Sequence, residues 1–194
     1  MRKDALKYLI CPHCKGNLLI GEIEKQNGPL IETGTLQCEA CETDYPIIRN
    51  IPRFVSSDNY ARGFGLEWNL HSLTQYDEYA GDNLSETRFF EETGWDRDLR
   101  GQIILEAGGG SGRFTQQAAS TGAMVISLDL SSAVEANYAS NGGRENVLII
   151  QGDLREMPVR DNYFDKLFCL GVIQHTPAPE ETFQGLIRYL KPGG

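Results

Sequence analysis

Four cysteines fall in the first 41 residues as Cys11-x2-Cys14-x23-Cys38-x2-Cys41, and a fifth, Cys169, lies far downstream. Thiolates three residues apart on a tight turn can grip one metal ion together, and two such turns supply the four sulfurs of a tetrahedral Zn2+ site. The 23-residue insert is slightly longer than the usual ~15–20. Asn27-Gly28-Pro29-Leu30 near its middle supplies turn residues, which predicts a hairpin of two strands. Two disulfides are the structural alternative in an oxidising compartment, and a redox site would need only one pair within a βαβ pattern. His13, inside the first turn, reads as a solvent-facing spacer, and Cys169, in an apolar run, as a small buried hydrophobe. Four protein ligands leave no open position for chemistry, so the expected role of the metal is to staple a segment of fewer than about 60 residues. On this reading Cys38→Ser unfolds the ribbon and leaves the core of the remaining chain largely formed.

The second constellation is Gln102–Phe114, where Gly108, Gly109, Gly110, Ser111 and Gly112 follow a short apolar run ending in Glu106. Glycines after a first strand let backbone approach a ligand without a Cβ clash, which points to a cofactor. A dinucleotide fingerprint G-x-G-x-x-G fails in both registers, because its last position falls on Arg113 or Thr115, and a Walker loop fails for want of a lysine.

Glu106-x-Gly108-x-Gly110-x-Gly112 instead resembles motif I of class I S-adenosylmethionine-dependent methyltransferases, and the resemblance extends to Gly194. It implies that Glu106, Ala107, Gly108, Gly110 and Gly112 surround S-adenosylmethionine, whose ammonium and sulfonium suit a nearby carboxylate. Asp129, 19 residues beyond Gly110, ends the second strand, where a carboxylate can accept from ribose hydroxyls, with Leu130 beside it; the alternative is a cap for the following helix. By the same resemblance Asp153 accepts from the adenine amine, the Leu154 backbone meets a ring nitrogen, and Leu170 lines the site after the fourth strand. Asp161 and Asp165 read as turn and strand-edge residues. His175, near the carboxyl end of the fourth strand, is the candidate general base for a hydroxyl acceptor, or else orients the strand-to-helix turn. Gln174 could line the same pocket. Separately, residues 4–55 resemble the zinc-ribbon family related to the activator subunit of tRNA methyltransferases, in the two cysteine pairs and the Tyr45-Pro46-Ile47…Ile51-Pro52 tail.

These residues need a scaffold. Apolar runs at Ile103–Gly108, Met124–Leu130, Asn146–Asp153 and Lys166–Ile173 alternate with segments of helical character, which predicts a parallel sheet with ligands beyond the carboxyl ends of its strands. The expected fold is α/β, a Rossmann-like doubly wound, mainly parallel sheet, incomplete at the C-terminus, preceded by a small zinc-ribbon domain. Asp44–Val55 alternates apolar residues with two prolines, as an edge strand does. Expected units are residues 1–57, a helical lid or linker over 58–100, and 101–194. Within the lid, Leu84–Gly94 predicts a short helix capped by Gly94, while Phe64, Trp68, Tyr76 and Tyr79 read mostly as packing residues rather than pocket cover. The Leu190-Lys191-Pro192-Gly193-Gly194 ending resembles the point where relatives enter a fifth strand. That leaves Leu167, Phe168, Leu170 and Val172 at an open sheet edge, which predicts either a cap by another chain, as in a homo-oligomer, or a cap by the chain's own helices, and a 194-residue form that holds cofactor without methyltransferase activity.

Charge narrows the partners. Lys/Arg and Asp/Glu balance at seven each up to Ser57, whereas beyond it eleven basic residues face twenty acidic ones. No basic stripe with interleaved aromatics is present, which argues against nucleic acid. No apolar run reaches the ~20 residues of a membrane span, and the charged N-terminus lacks a signal peptide's apolar core, which predicts a cytoplasmic protein. The sequence reading is methyl transfer to a small-molecule, sugar or lipid-linked acceptor; the alternatives are an RNA methyltransferase, or a non-catalytic zinc-ribbon module that regulates a partner enzyme.

Overall fold

The computed structural model describes residues 1–56 and 61–194, with residues 62 and 64 described by backbone only. The expected boundary at residues 57 and 58, with the first residues of the lid, and the side chain of Phe64 lie outside the described residues.

The N-terminal part opens with a 3-10 turn, Lys3–Tyr8, and forms an antiparallel sheet of β1 (Leu18–Asn27), β2 (Leu30–Cys38), β3 (Asp44–Ile48) and β4 (Ile51–Pro52) in that order. Gly28, at φ 55°, turns β1 into β2 as the sequence predicts. The prolines of Asp44–Val55 mark something other than a single edge strand. Arg49 and Asn50 take φ 52° and 67°, the paired positive values of a tight two-residue hairpin. The segment therefore folds back, and β3 is interior, between β2 and β4. Pro46 lies opposite Thr35 and needs only its carbonyl, which accepts from the Arg53 N–H at 2.9 Å.

The remainder is a parallel sheet of β5 (Ile103–Ala107), β6 (Met124–Asp129), β7 (Val147–Gln151) and β8 (Lys166–Phe168), ordered β7-β6-β5-β8. Before it come helices α1 (Arg62–Leu70), α2 (Asp77–Ala80) and α3 (Leu84–Thr93); α4 (Arg113–Ser120) and α5 (Val134–Asn141) cross between strands, and α6 (Pro179–Ile187) follows β8. Gly94 closes α3 in the left-handed conformation as expected. Its N-terminus is held by Asp77, whose two carboxylate oxygens accept from the N–H groups of Ser85 and Glu86 at 2.8 and 2.9 Å. The fourth apolar run is strand only to Phe168; Gly171, at φ 73°, then turns the chain into a 3-10 turn over Ile173–His175. Strand order reverses around β5, so the carboxyl ends of β5 and β8 part at the crevice where such sheets bind ligands.

Side chains alternate across this sheet and meet two different layers. Ile104, Val125 and Ile149 join Phe89, Phe114, Ala118 and Val134 on the face covered by α3, α4 and α5. Leu105, Ile126, Leu148 and Ile150 share the opposite core with Leu9, Cys11, Leu36, Tyr45 and Ile47 of the ribbon and with Leu186 and Tyr189 at the other end of the chain. The ribbon is thus one layer of a three-layer structure rather than an appended bead. Its tail also borders β7: Arg53 bridges to Gln151 in parallel, and the Phe54 N–H donates to the Gln151 carbonyl at 2.8 Å. On the opposite flank Phe164, just before β8, pairs with Leu190, and the Lys191 N–H reaches the Phe164 carbonyl at 2.9 Å. Beside this pairing Phe168 is buried and Leu167, Leu170 and Val172 are half-buried. No described helix is long and apolar enough to cross a membrane.

Candidate functional site

The metal centre is built by two like turns. Lys15 and Glu42, each following the second cysteine of its pair, sit at φ 61° and 58°. The N–H of Lys15 donates to the Cys11 carbonyl at 3.0 Å and that of Glu42 to the Cys38 carbonyl at 3.1 Å. Each turn thereby curls two thiols toward one point. The four Sγ atoms lie within 4.8 Å of one another, with Cys14 to Cys38 at 3.4 Å and Cys11 to Cys41 at 3.7 Å. Bonds of about 2.3 Å to a central zinc give edges of about 3.8 Å, so the donor set fits the ion. The Tyr45 hydroxyl lies 3.0 Å from the Cys11 sulfur and orients it. His13 is exposed and apart from the cluster, and Cys169 is half-buried, its thiol pushed up to about 12 chiefly by burial.

The second site is a cavity of about 220 Å³ at the β5–β8 crevice. Gly108 to Ser111, Arg113, Phe114, Asp129, Leu130, Leu154, Leu170, Val172 and His175 line it, and Ala61, Trp68 and Gln75 of the preceding helical segment close one wall. Gly108, Gly110 and Gly112 all have positive φ, for different reasons. A Cβ on Gly110 would meet nothing nearer than the Trp68 indole nitrogen, 3.9 Å away, so this backbone faces open cavity. A Cβ on Gly112 would lie 2.2 Å from Asn137 Oδ1, and one on Gly108 2.5 Å from Val172. Gly112 thus serves protein packing, whereas Gly108 makes room for Val172 and also lines the cavity.

Beneath the loop runs a buried polar chain. Thr115 Oγ1 donates to Glu106, Asn137 Nδ2 reaches both Thr115 and Ser127 at 2.9 and 3.0 Å, and Asn141 Nδ2 donates to Asn137 and to the Gly112 carbonyl, both at 3.0 Å. Tyr76, buried at the foot of the helical segment, donates its hydroxyl to the Ser111 carbonyl at 2.7 Å and accepts from Asn141 at 3.1 Å. Burial raises the Glu106 carboxyl to about 7 despite its hydrogen bonds from Ser127 and Thr115. Glu106 is 2% exposed and supports the loop from below; neither it nor Ala107 nor Gly112 lines the cavity.

Asp129 does line it. One carboxylate oxygen accepts from the Gly110 N–H at 2.9 Å and the other from Ser131 N–H and Oγ at 2.8 and 2.6 Å. Asp129 thus ties the loop to the turn after β6 but does not cap α5, whose N-cap residue, Ala133, makes no side-chain hydrogen bond; a carboxylate has about four acceptor sites, which leaves room for a further donor from the cavity. Asp153 turns to Arg155 through hydrogen bonds of 2.7 to 3.2 Å and lies off the cavity, while Leu154, Leu130 and Leu170 are on it. His175 reaches the rim, exposed, with Gln174 Nε2 3.4 Å from its Nε2; Gln174 itself is not on the wall. Asp165 holds the Ile103 N–H at 2.8 Å and Lys191 at 2.5 Å, the edge role expected of it.

Trp68 belongs to the cavity wall and not to the packing beneath it, and sequence reasoning also missed Gln75 and Arg113. Only Arg113 carried a signal, as a cation directly after the glycine run.

Similarity to known proteins agrees with these two sites. A family model described as a methyltransferase domain matches residues 105–194, and one described as a Trm112p-like protein matches residues 2–50. A sterol 24-C-methyltransferase of Pneumocystis carinii is 32% identical over 48% of this chain and 26% of its own length. A ubiquinone biosynthesis O-methyltransferase of Xanthomonas oryzae pv. oryzae is 31% identical over 50% and 42% respectively. The chain thus spans less than half the length of these curated relatives. Among solved structures, a phosphoethanolamine N-methyltransferase of Haemonchus contortus in complex with phosphomonomethylethanolamine and S-adenosylhomocysteine superposes with TM-score 0.50 at 28% identity, over 59% of this chain and 27% of that one. Residues 2–50, which carry the four-cysteine cluster, thus match the Trm112p-like family, and residues 105–194, which carry the glycine loop, match the methyltransferase-domain family.

Proposed function

We propose that the protein transfers a methyl group from S-adenosylmethionine to a small-molecule acceptor bound above the glycine loop. The observation that carries this is a single cavity on which exposed loop backbone, the Asp129 carboxylate and the apolar side chains of Leu130, Leu154 and Leu170 converge. The loop fits a close-approaching ligand because the missing Cβ of Gly110 would point into open space. On this reading the backbone around Gly108 and Gly110 takes the methionyl portion and Asp129 the ribose. The apolar residues take the adenine, with Asp153 at its edge once it moves from Arg155. The bound donor supplies a methyl carbon already activated by positive sulfur, so the protein contributes alignment and exclusion of water. Trp68 and Phe114 provide apolar wall, and His175 at the rim is placed to take the proton of a hydroxyl acceptor.

Small-molecule acceptors are supported by the named activities of the relatives on sterol, ubiquinone-precursor and phosphoethanolamine substrates. The acidic excess beyond Ser57 weighs against RNA. A purely regulatory ribbon that docks a separate enzyme is the lesser reading, since the ribbon's apolar side chains already share a core with the chain's own sheet. Titration calorimetry with S-adenosylhomocysteine tests the proposal. Micromolar binding to one site is expected, followed by acceptor-dependent release of that product from S-adenosylmethionine. No binding by well-folded, zinc-loaded protein would end it.

A further inference from the structure

Arg113, the first residue of α4, is a half-buried cation on the cavity wall, directly after Gly112. Its guanidinium lies over the Phe114 ring, 4.4 Å from the centroid, and among the described residues no carboxylate lies within ion-pair distance. The acidic groups in its neighbourhood are engaged elsewhere: Asp77 accepts from the backbone of Ser85 and Glu86, and Glu92 is held by Arg88 at 2.7 Å. Burial, reinforced by the neighbouring Arg88, holds the Arg113 pKa below the usual guanidinium value. A chain with net charge −9 has carboxylates to spare, and leaving a half-buried guanidinium unpaired costs free energy that an incoming anion recovers.

We infer that Arg113 is the anion-recognition residue of the cavity, receiving a carboxylate or phosphate of its occupant in the bidentate fork that a guanidinium offers. The chemistry is shared by two sources, the carboxylate of the donor's methionyl portion and an acidic group on the acceptor. The inference deepens the methyl-transfer reading and rests on it for the first source.

The test measures dissociation constants of wild type and Arg113→Gln for three probes: S-adenosylhomocysteine, 5′-methylthioadenosine, which lacks the amino-acid portion, and inorganic phosphate. A loss of about 10- to 100-fold for the first probe, the range of a charge-assisted hydrogen bond, with the second within about twofold, assigns the anion to the donor. Unchanged nucleoside binding, with phosphate bound by wild type and not by the variant, assigns it to the acceptor. Equal weakening of both nucleosides, or no change in any probe, overturns the inference. Failure of wild type to bind S-adenosylhomocysteine would instead remove the methyl-donor reading, and the phosphate comparison would still decide Arg113. Should Arg113→Gln fail to fold, Arg113→Lys, which keeps the charge and loses the fork, gives the same ordering with smaller amplitude.

Discussion

Two carboxylates within reach of one loop have opposite surroundings. Asp129 accepts from a backbone N–H of the loop and from the N–H and hydroxyl of Ser131, whereas Glu106 is enclosed and its carboxyl is raised from an ordinary 4.5 to about 7, chiefly by burial. A group whose folded pKa is raised contributes stability that is complete below its unfolded pKa and is lost as the pH climbs through its folded pKa. Glu106→Gln, which cannot ionise, should therefore gain in melting temperature relative to wild type as pH rises from about 5 to about 8. Parallel profiles for the two proteins would show that Glu106 does not titrate in this window. Asp129→Ala should weaken S-adenosylhomocysteine by about 1.5 to 3 kcal/mol, the loss of charge-assisted hydrogen bonds. An unchanged dissociation constant by calorimetry would reduce Asp129 to a cap for the turn after β6.

The glycine loop, the element between β5 and α4, shows why similar residues need not share a role. Gly112, at φ 95°, has Asn137 Oδ1 where its Cβ would go, so Gly112→Ala should cost about 2 to 4 kcal/mol of folding stability through strain and a displaced buried amide. Gly110, at φ 52°, faces empty cavity. Its alanine variant should keep more of the melting temperature while weakening nucleoside binding. Thermal melts paired with calorimetry on both variants check this, and a larger stability loss at Gly110 than at Gly112 would reverse the assignment. The periodicity of the four apolar runs made the strands legible, and the resemblance of Glu106-x-Gly108-x-Gly110-x-Gly112 to motif I, once the dinucleotide spacing failed, implied the cofactor class. Which glycine faces open cavity and which faces Asn137 was not legible, because Asn137 and Asn141 lie on α5, more than twenty residues downstream.

For the whole molecule the decisive feature is the continuous core shared by the ribbon and the parallel sheet. Three contacts reinforce it: Ile10 N–H to the Pro158 carbonyl at 2.9 Å, Lys15 to the Met157 carbonyl at 3.3 Å, and Arg53, which grips Gln151 at 2.7 Å and Glu135 on α5. The sequence alone suggested that losing the zinc site would spare the rest of the fold. The shared core predicts otherwise: unfolding the ribbon strips one face from β5, β6 and β7 and exposes Leu105, Ile126 and Ile150. Cys38→Ser or zinc chelation should therefore lower the melting of the whole chain in one calorimetric transition. Two separate transitions, the later one unmoved, would show that the sheet holds without its ribbon layer.

Local chemistry was readable from the chain itself. Paired cysteines at two-residue spacing curl into metal turns through short-range backbone bonds, an alternation of apolar runs and helices specifies a parallel sheet, and glycine in the left-handed conformation closes α3 at Gly94 and turns β1 into β2 at Gly28. Tertiary structure decided everything that depends on residues distant in sequence. It folded Asp44–Val55 into a hairpin whose second strand lies beside Gln151, drew Trp68 and Gln75 onto the cavity wall, put Glu106 under the loop, and left Arg113 without a carboxylate partner among the described residues. The physical reason is the same in each case: burial and charge pairing are properties of the space around a side chain, and that space is filled here by segments as distant in sequence as Lys15 and Met157, 142 residues apart.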